Sequence, residues 1–153
     1  MNTLVIDTQS SFKWFILATA TFVTMLYAMN VTIASIALSD MRGAMGATQD
    51  QISWVVTGNI VATAIFTPFA GWLSSRIQIR TILFFSVIGF IISSIFCGMS
   101  DSLEEIVIAR VAQGIFGAPL PPLSQTLVLA VFPKRQISVA MAVWGMGTIL
   151  GPV

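Results

Sequence analysis

Arg110 and Gln113 stand three residues apart in "EEIVIARVAQGIFG", residues Glu104–Gly117, and Arg110 is the one formal charge well inside an apolar run of this chain. A guanidinium is a permanent cation that presents N–H donors and no acceptor, so it needs oxygen partners wherever it is placed. At the centre of a bilayer it costs ~2.5–3.5 kcal/mol on insertion scales. Each neighbouring Val, Ile, Leu or Phe returns roughly 0.3–0.6 kcal/mol, a gain eroded by Gln113, Gln125 and the prolines. The segment is therefore marginal as an isolated span, and Arg110 is expected to face a protein interior or a water-filled cavity. The alternative is that it snorkels outward to Glu104, Glu105 and the lipid headgroups.

Helical rise alone points to an acceptor at the same depth. Asn30 precedes Asp40 by ten residues, ~15 Å, and Arg110 follows Asp101 by nine, ~13 Å, at 1.5 Å per residue. Asn30 offers an amide oxygen to a guanidinium but does not titrate, so such a pair is a hydrogen-bonding contact and not a proton-exchanging ion pair. An ordinary helix–helix hydrogen bond of Asn30 is the alternative. Other chemistries find no residues. The chain has no histidine and a single cysteine, Cys97 in an apolar run, which argues against a metal cage, a Ser/His/Asp or Cys/His set and an internal disulfide. There is no phosphate-cradling glycine loop, and enzyme function is the weakest candidate. The net charge of +1 argues against a nucleic-acid partner.

The elements that must position these residues are membrane helices. The 153 residues are 56% hydrophobic and 8% charged, with mean hydropathy +0.93, where a soluble domain carries roughly 25% charged residues. Charge-poor stretches predict helices at about 14–39, 51–75, 81–100, 105–133 and 136–153. The first four each exceed or nearly meet the ~20 residues that cross a ~30 Å hydrocarbon core. With no alternating strand pattern, the backbone is satisfied only by helices. Lys13, the pair Arg76 and Arg80, and the pair Lys134 and Arg135 fall on alternate loops. The third loop carries Asp101, Glu104 and Glu105 with no basic residue. The amino terminus and the second and fourth loops are thus placed in the cytoplasm. Trp14 and Trp54 fit interfacial anchors.

Inside the fourth span Pro119, Pro121 and Pro122 remove backbone donors, and Gly114 and Gly117 thin the same region, so the helix is expected to bend or loosen there. Broken helices at that depth are where transporters commonly place their sites. Asn59, Thr63 and Thr67, four apart, form a polar stripe that either lines the same cavity or makes interhelical hydrogen bonds. Gly58 with Ala62, and Gly147 with Gly151, allow close approach of helices. Met25, Met29 and Phe22 offer an adaptable apolar wall.

These residues resemble the major facilitator superfamily and, within it, the fourteen-helix drug:proton antiporters of the EmrB/QacA type. The family's loop between helices two and three is matched by "GWLSSRIQIR" at Gly71, Leu73, Arg76 and Arg80, with Ser75 in place of the acid and Gln78 in place of the second glycine. The fourth-helix motif is matched by "IVIARVAQGIFG" at Arg110, Gln113, Gly114 and Gly117. The first-helix motif corresponds to "MNVTIASIALS", where Asn30 replaces the acid, Ser35 an asparagine and Ser39 a proline. The fifth-helix antiporter motif appears as "GTILGP", with Gly147, Gly151 and Pro152.

The resemblance implies an all-α membrane protein, a partial major-facilitator bundle of four complete transmembrane helices plus a truncated fifth. It makes 1–153 the amino-terminal part of a transporter domain in the cell's inner membrane. It implies proton-coupled multidrug efflux, with Arg110, Asn30 and Gln113 at the coupling site or cavity, and Gly71, Arg76 and Arg80 in a cytoplasmic gating loop. Gly114, Gly117, Pro119, Gly147, Gly151 and Pro152 take helix packing or bending. No cofactor is implied beyond a proton gradient. The expected partners are the lipid bilayer, a small amphiphilic substrate, the remaining transporter half and a periplasmic adaptor. The superfamily moves solutes between two halves built of inverted three-helix repeats, of which this sequence has one and about two-thirds of the next. Two alternatives stay open: a major-facilitator transporter of another small solute, and a non-transporting truncated gene product.

Overall fold

A computed structural model describes residues 3–46 and 48–151. Among them there are six helical segments and no strand: α1 (Thr3–Met45), α2 (Gln49–Ser74), α3 (Ile79–Met99), α4 (Leu103–Gly117), α5 (Leu120–Val131) and α6 (Ile137–Leu150). Four spans are long and apolar enough to cross a membrane: Phe12–Ala37 of α1, α2, α3, and Leu103–Val131, which joins α4 and α5; α6 is a shorter apolar helix.

Helix ends follow caps and glycine rather than charge. α1 runs beyond the apolar stretch at both ends and carries Asp40 and Arg42 within it, stopping before Gly46, whose φ of 59° suits a residue without a Cβ. Thr48 and Gln51 close a capping box at the start of α2. The Ser102 hydroxyl accepts from the Glu105 amide at the start of α4, and the Glu105 carboxylate accepts from the Asp101 amide. Glu104 and Glu105 thus sit in the first turn, where the helix dipole favours negative charge.

The fourth span breaks at Ala118 and Pro119. α4 ends with the Ala118 amide on the Gly114 carbonyl, and α5 begins with the Leu123 amide on the Pro119 carbonyl. Pro121 and Pro122 fall in the first turn of α5, where no intrahelical donor is required.

α4 packs chiefly on α2 and α3, whereas α1 packs chiefly on α6 and α5. The α2–α4 contact is a close approach. A Cβ at Gly114 would lie 2.5 Å from the Asn59 carbonyl oxygen and 2.9 Å from the Ala62 Cβ. Leu17 and Ala20 of α1 meet Val128, Phe132 and Ala140 in the largest apolar cluster. The outer faces remain apolar: Phe84, Phe85, Ile92, Ile95 and Phe96 of α3 are exposed, as lipid contact requires.

Candidate functional site

Three helices converge on Arg110. α4 is fixed on α2 by two hydrogen bonds to its backbone: Asn59 Nδ2 donates to the Arg110 carbonyl at 3.0 Å, and Thr63 Oγ1 to the Gly114 carbonyl at 3.3 Å. Thr67 Oγ1 turns back to its own helix at the Thr63 carbonyl. Asn59 and Thr63 of the polar stripe are therefore interhelical ties.

With the backbone held, the Arg110 side chain leaves α4 toward α1. Its Nη1 donates to Asn30 Oδ1 at 2.9 Å and to Gln113 Oε1 at 2.8 Å. Gln113, almost wholly buried, turns its other end to α3, where Nε2 donates to Ser94 Oγ at 2.7 Å. Asn30, Arg110 and Gln113 thus form one network, and the guanidinium sits among helices rather than at Glu104 or Glu105. Its acceptors are both neutral amides. Among the described residues no carboxylate pairs with it, and its buried Nε has no partner.

Ser94 is the member that sequence reasoning missed. Helical rise sets depth on the third span as it does for Asn30 and Arg110. Ser94 precedes Asp101 by seven residues, ~10 Å of rise, close to the level of Arg110.

The loop residues lie elsewhere. Arg80 and Ser94 are fourteen residues apart on α3, roughly 21 Å along its axis. Arg76 sits over the Trp72 ring, 5.2 Å from its centroid, and Trp72 stacks on Phe69 at 5.3 Å. Ser75, standing where the motif has its acid, donates its hydroxyl to the Trp72 carbonyl. Gly71 faces open space. Arg80 lines a ~440 Å³ apolar groove together with Phe15, Val23, Phe84 and Leu127.

The packing residues are placed at close approaches. Gly117 lies against Tyr27, Gly147 against Thr21 and Gly151 against the Met25 carbonyl, while Pro119 is buried at the helix break. Met25 is thereby engaged in α1–α6 packing. Pro152 lies outside the described residues.

The Major Facilitator Superfamily model matches residues 20–153. The chain belongs to the major facilitator superfamily. It is 40% identical to the multidrug export protein EmrB of Escherichia coli (strain K12) over 130 residues, which is 85% of this chain and 25% of that protein. It is 36% identical to the fatty acid resistance protein FarB of Neisseria gonorrhoeae over 125 residues, 82% of this chain and 25% of that one. The chain therefore spans about a quarter of the length of these curated relatives. The crystal structure of a bacterial homolog to the human lysosomal transporter Spinster, inward-facing and unoccupied, superposes with a TM-score of 0.81. It is 20% identical, and the match covers 91% of this chain and 29% of that one. The superfamily is one of transporters and not enzymes, and this member is a multi-pass protein of the inner membrane.

Proposed function

We propose that these helices are the amino-terminal part of a proton-coupled exporter of amphiphilic drugs, with the remaining transporter half as their partner. The observation that carries the reading is the Arg110 cluster. A costly cation is placed between helices, tied to Asn30 and Gln113, on a chain 40% identical to a multidrug export protein. Alternating access needs an opposing half to rock against, and the short span of the match leaves room for it in a longer polypeptide. Arg110 would shape the polar end of the pathway, and the basic loop at Arg76 and Arg80 would meet the other half on the cytoplasmic side. Protons would be exchanged by acids outside this network, since none of its side chains has a carboxyl.

The experiment is drug efflux from cells carrying the whole protein, wild type against Arg110→Ala at matched membrane abundance. Loss of efflux and of resistance is expected. Unchanged efflux would remove Arg110 from the mechanism, and a wild type that moves no compound would favour the non-transporting alternative.

A second reading has a specific observation behind it. Among the described residues the guanidinium has neutral acceptors only, so its charge is free to meet an anionic amphiphile, and one relative carries fatty acid resistance in its name. Efflux of decanoate, compared with a quaternary ammonium of the same chain length, separates the two substrate classes.

A further inference from the structure

We infer that Ser94 is a positioning residue that fixes which end of the Gln113 amide faces Arg110. A serine hydroxyl has one proton to donate, and that of Ser94 goes to the Phe90 carbonyl of its own helix at 2.8 Å. Its oxygen is then left only as an acceptor toward Gln113, 2.7 Å away. An acceptor demands the NH₂ end of the amide, so Nε2 turns to Ser94 and Oε1 is delivered to Arg110 Nη1 at 2.8 Å. Polarity thus runs one way through the network. The Phe90 carbonyl sets the Ser94 hydroxyl, the hydroxyl sets the Gln113 amide, and the amide with Asn30 holds the cation.

A flipped amide would present NH₂ to the guanidinium, donor against donor, and Arg110 would keep Asn30 alone. At Gln113, 1% exposed, both ends of the amide are met by protein partners. Ser94 on α3 holds the amide from the end opposite the guanidinium, in the one orientation that Arg110 accepts, so a small rotation of α3 against α4 would loosen one acceptor of Arg110. The inference takes its functional meaning from the proposal that Arg110 serves transport, but its geometric content stands apart.

The fold supplies its own control. Ser93, the adjacent residue, makes the same local bond to the Gly89 carbonyl at 2.8 Å and, among the described residues, has no hydrogen-bond partner on another helix. Ser94→Thr keeps the hydroxyl and its bond to the preceding turn, as Thr24 does with the Ala20 carbonyl.

The test uses the whole protein in lipid nanodiscs with ¹⁵N-labelled arginine, the Arg110 signals being assigned with Arg110→Lys. In Ser94→Ala, solvent exchange of the Arg110 Nη1 protons should accelerate roughly tenfold, the scale of one hydrogen bond to a charged group. Ser94→Thr should restore the wild-type rate and Ser93→Ala should leave it unchanged. Wild-type exchange in Ser94→Ala, or equal acceleration in Ser93→Ala, would overturn the inference whatever happens to transport. In the whole protein, Ser94→Ala should move the pH profile of efflux and Ser94→Thr should move it back. Faster exchange with an unmoved profile would overturn the role in transport. An Arg110→Ala protein with normal efflux would sink the transport reading, and the exchange rates alone would then decide the inference.

Discussion

The span that joins α4 and α5 and the helix beside it, α3, obey opposite rules. α3 is the most apolar of the four spans, yet only 17% of its most apolar window is buried within the bundle. Leu103–Val131 is the least apolar, yet 50% of its window is buried. In water the ranking would be reversed, because burial there follows hydrophobicity. In a bilayer the lipid is as apolar as leucine, so phenylalanines and isoleucines lose nothing by facing outward. Arginine, glutamine and broken backbone must be enclosed instead. The central position of the fourth span is thus a consequence of its polarity, and that polarity is what the proposed site uses.

The comparison can be broken most severely with paired glycines. Gly114→Val drives a side chain into the Asn59 carbonyl and Ala62, and is expected to destabilise the bundle by about 2–3 kcal/mol in detergent unfolding. Gly98→Val on α3 meets open space and should stay within ~0.5 kcal/mol of wild type. Equal effects would show that the two helices are not packed so differently. Next in size is Asn30→Asp, which sets a carboxylate beside Arg110 in a network that has none. The pH profile of transport by the whole protein should gain a step absent from wild type, and an unmoved profile would separate the two residues.

A smaller change is expected from Asn59→Ala, which removes the tie to the Arg110 carbonyl. Hydrogen bonds of this kind average about 0.6 kcal/mol in membrane helices, so a loss of ~0.5–1.5 kcal/mol is expected on the same unfolding assay. The smallest is Phe84→Leu on the outer face of α3, where apolar replaces apolar against lipid. A change within ~0.5 kcal/mol is expected, and a larger loss would mean that this face is covered by protein.

Much of this was legible in the residues. Arg110 and Asn30 could be matched because helical rise converts residue number into depth, and the break at Pro119 because proline cannot supply a donor. Helix limits were less legible. Asp40 and Arg42 mark where the apolar stretch ends, but an α-helix tolerates both, and α1 continues to the glycine at position 46. Ser94 was hidden for another reason. Ser86, Ser93 and Ser94 lie on one apolar helix, and only the rotation of α3 about its axis decides which of them meets Gln113. That rotation is set by packing such as Gly89 under Phe116, a contact between helices that no local pattern encodes.

The Arg110 charge is enclosed by the helices and held by Asn30. A double-mutant cycle on unfolding stability, combining Asn30→Ala with Arg110→Gln, tests this most directly. If the two side chains share a hydrogen bond, the double variant should depart from additivity by about 1 kcal/mol. Additivity within ~0.3 kcal/mol would contradict the contact and return Arg110 to the lipid surface.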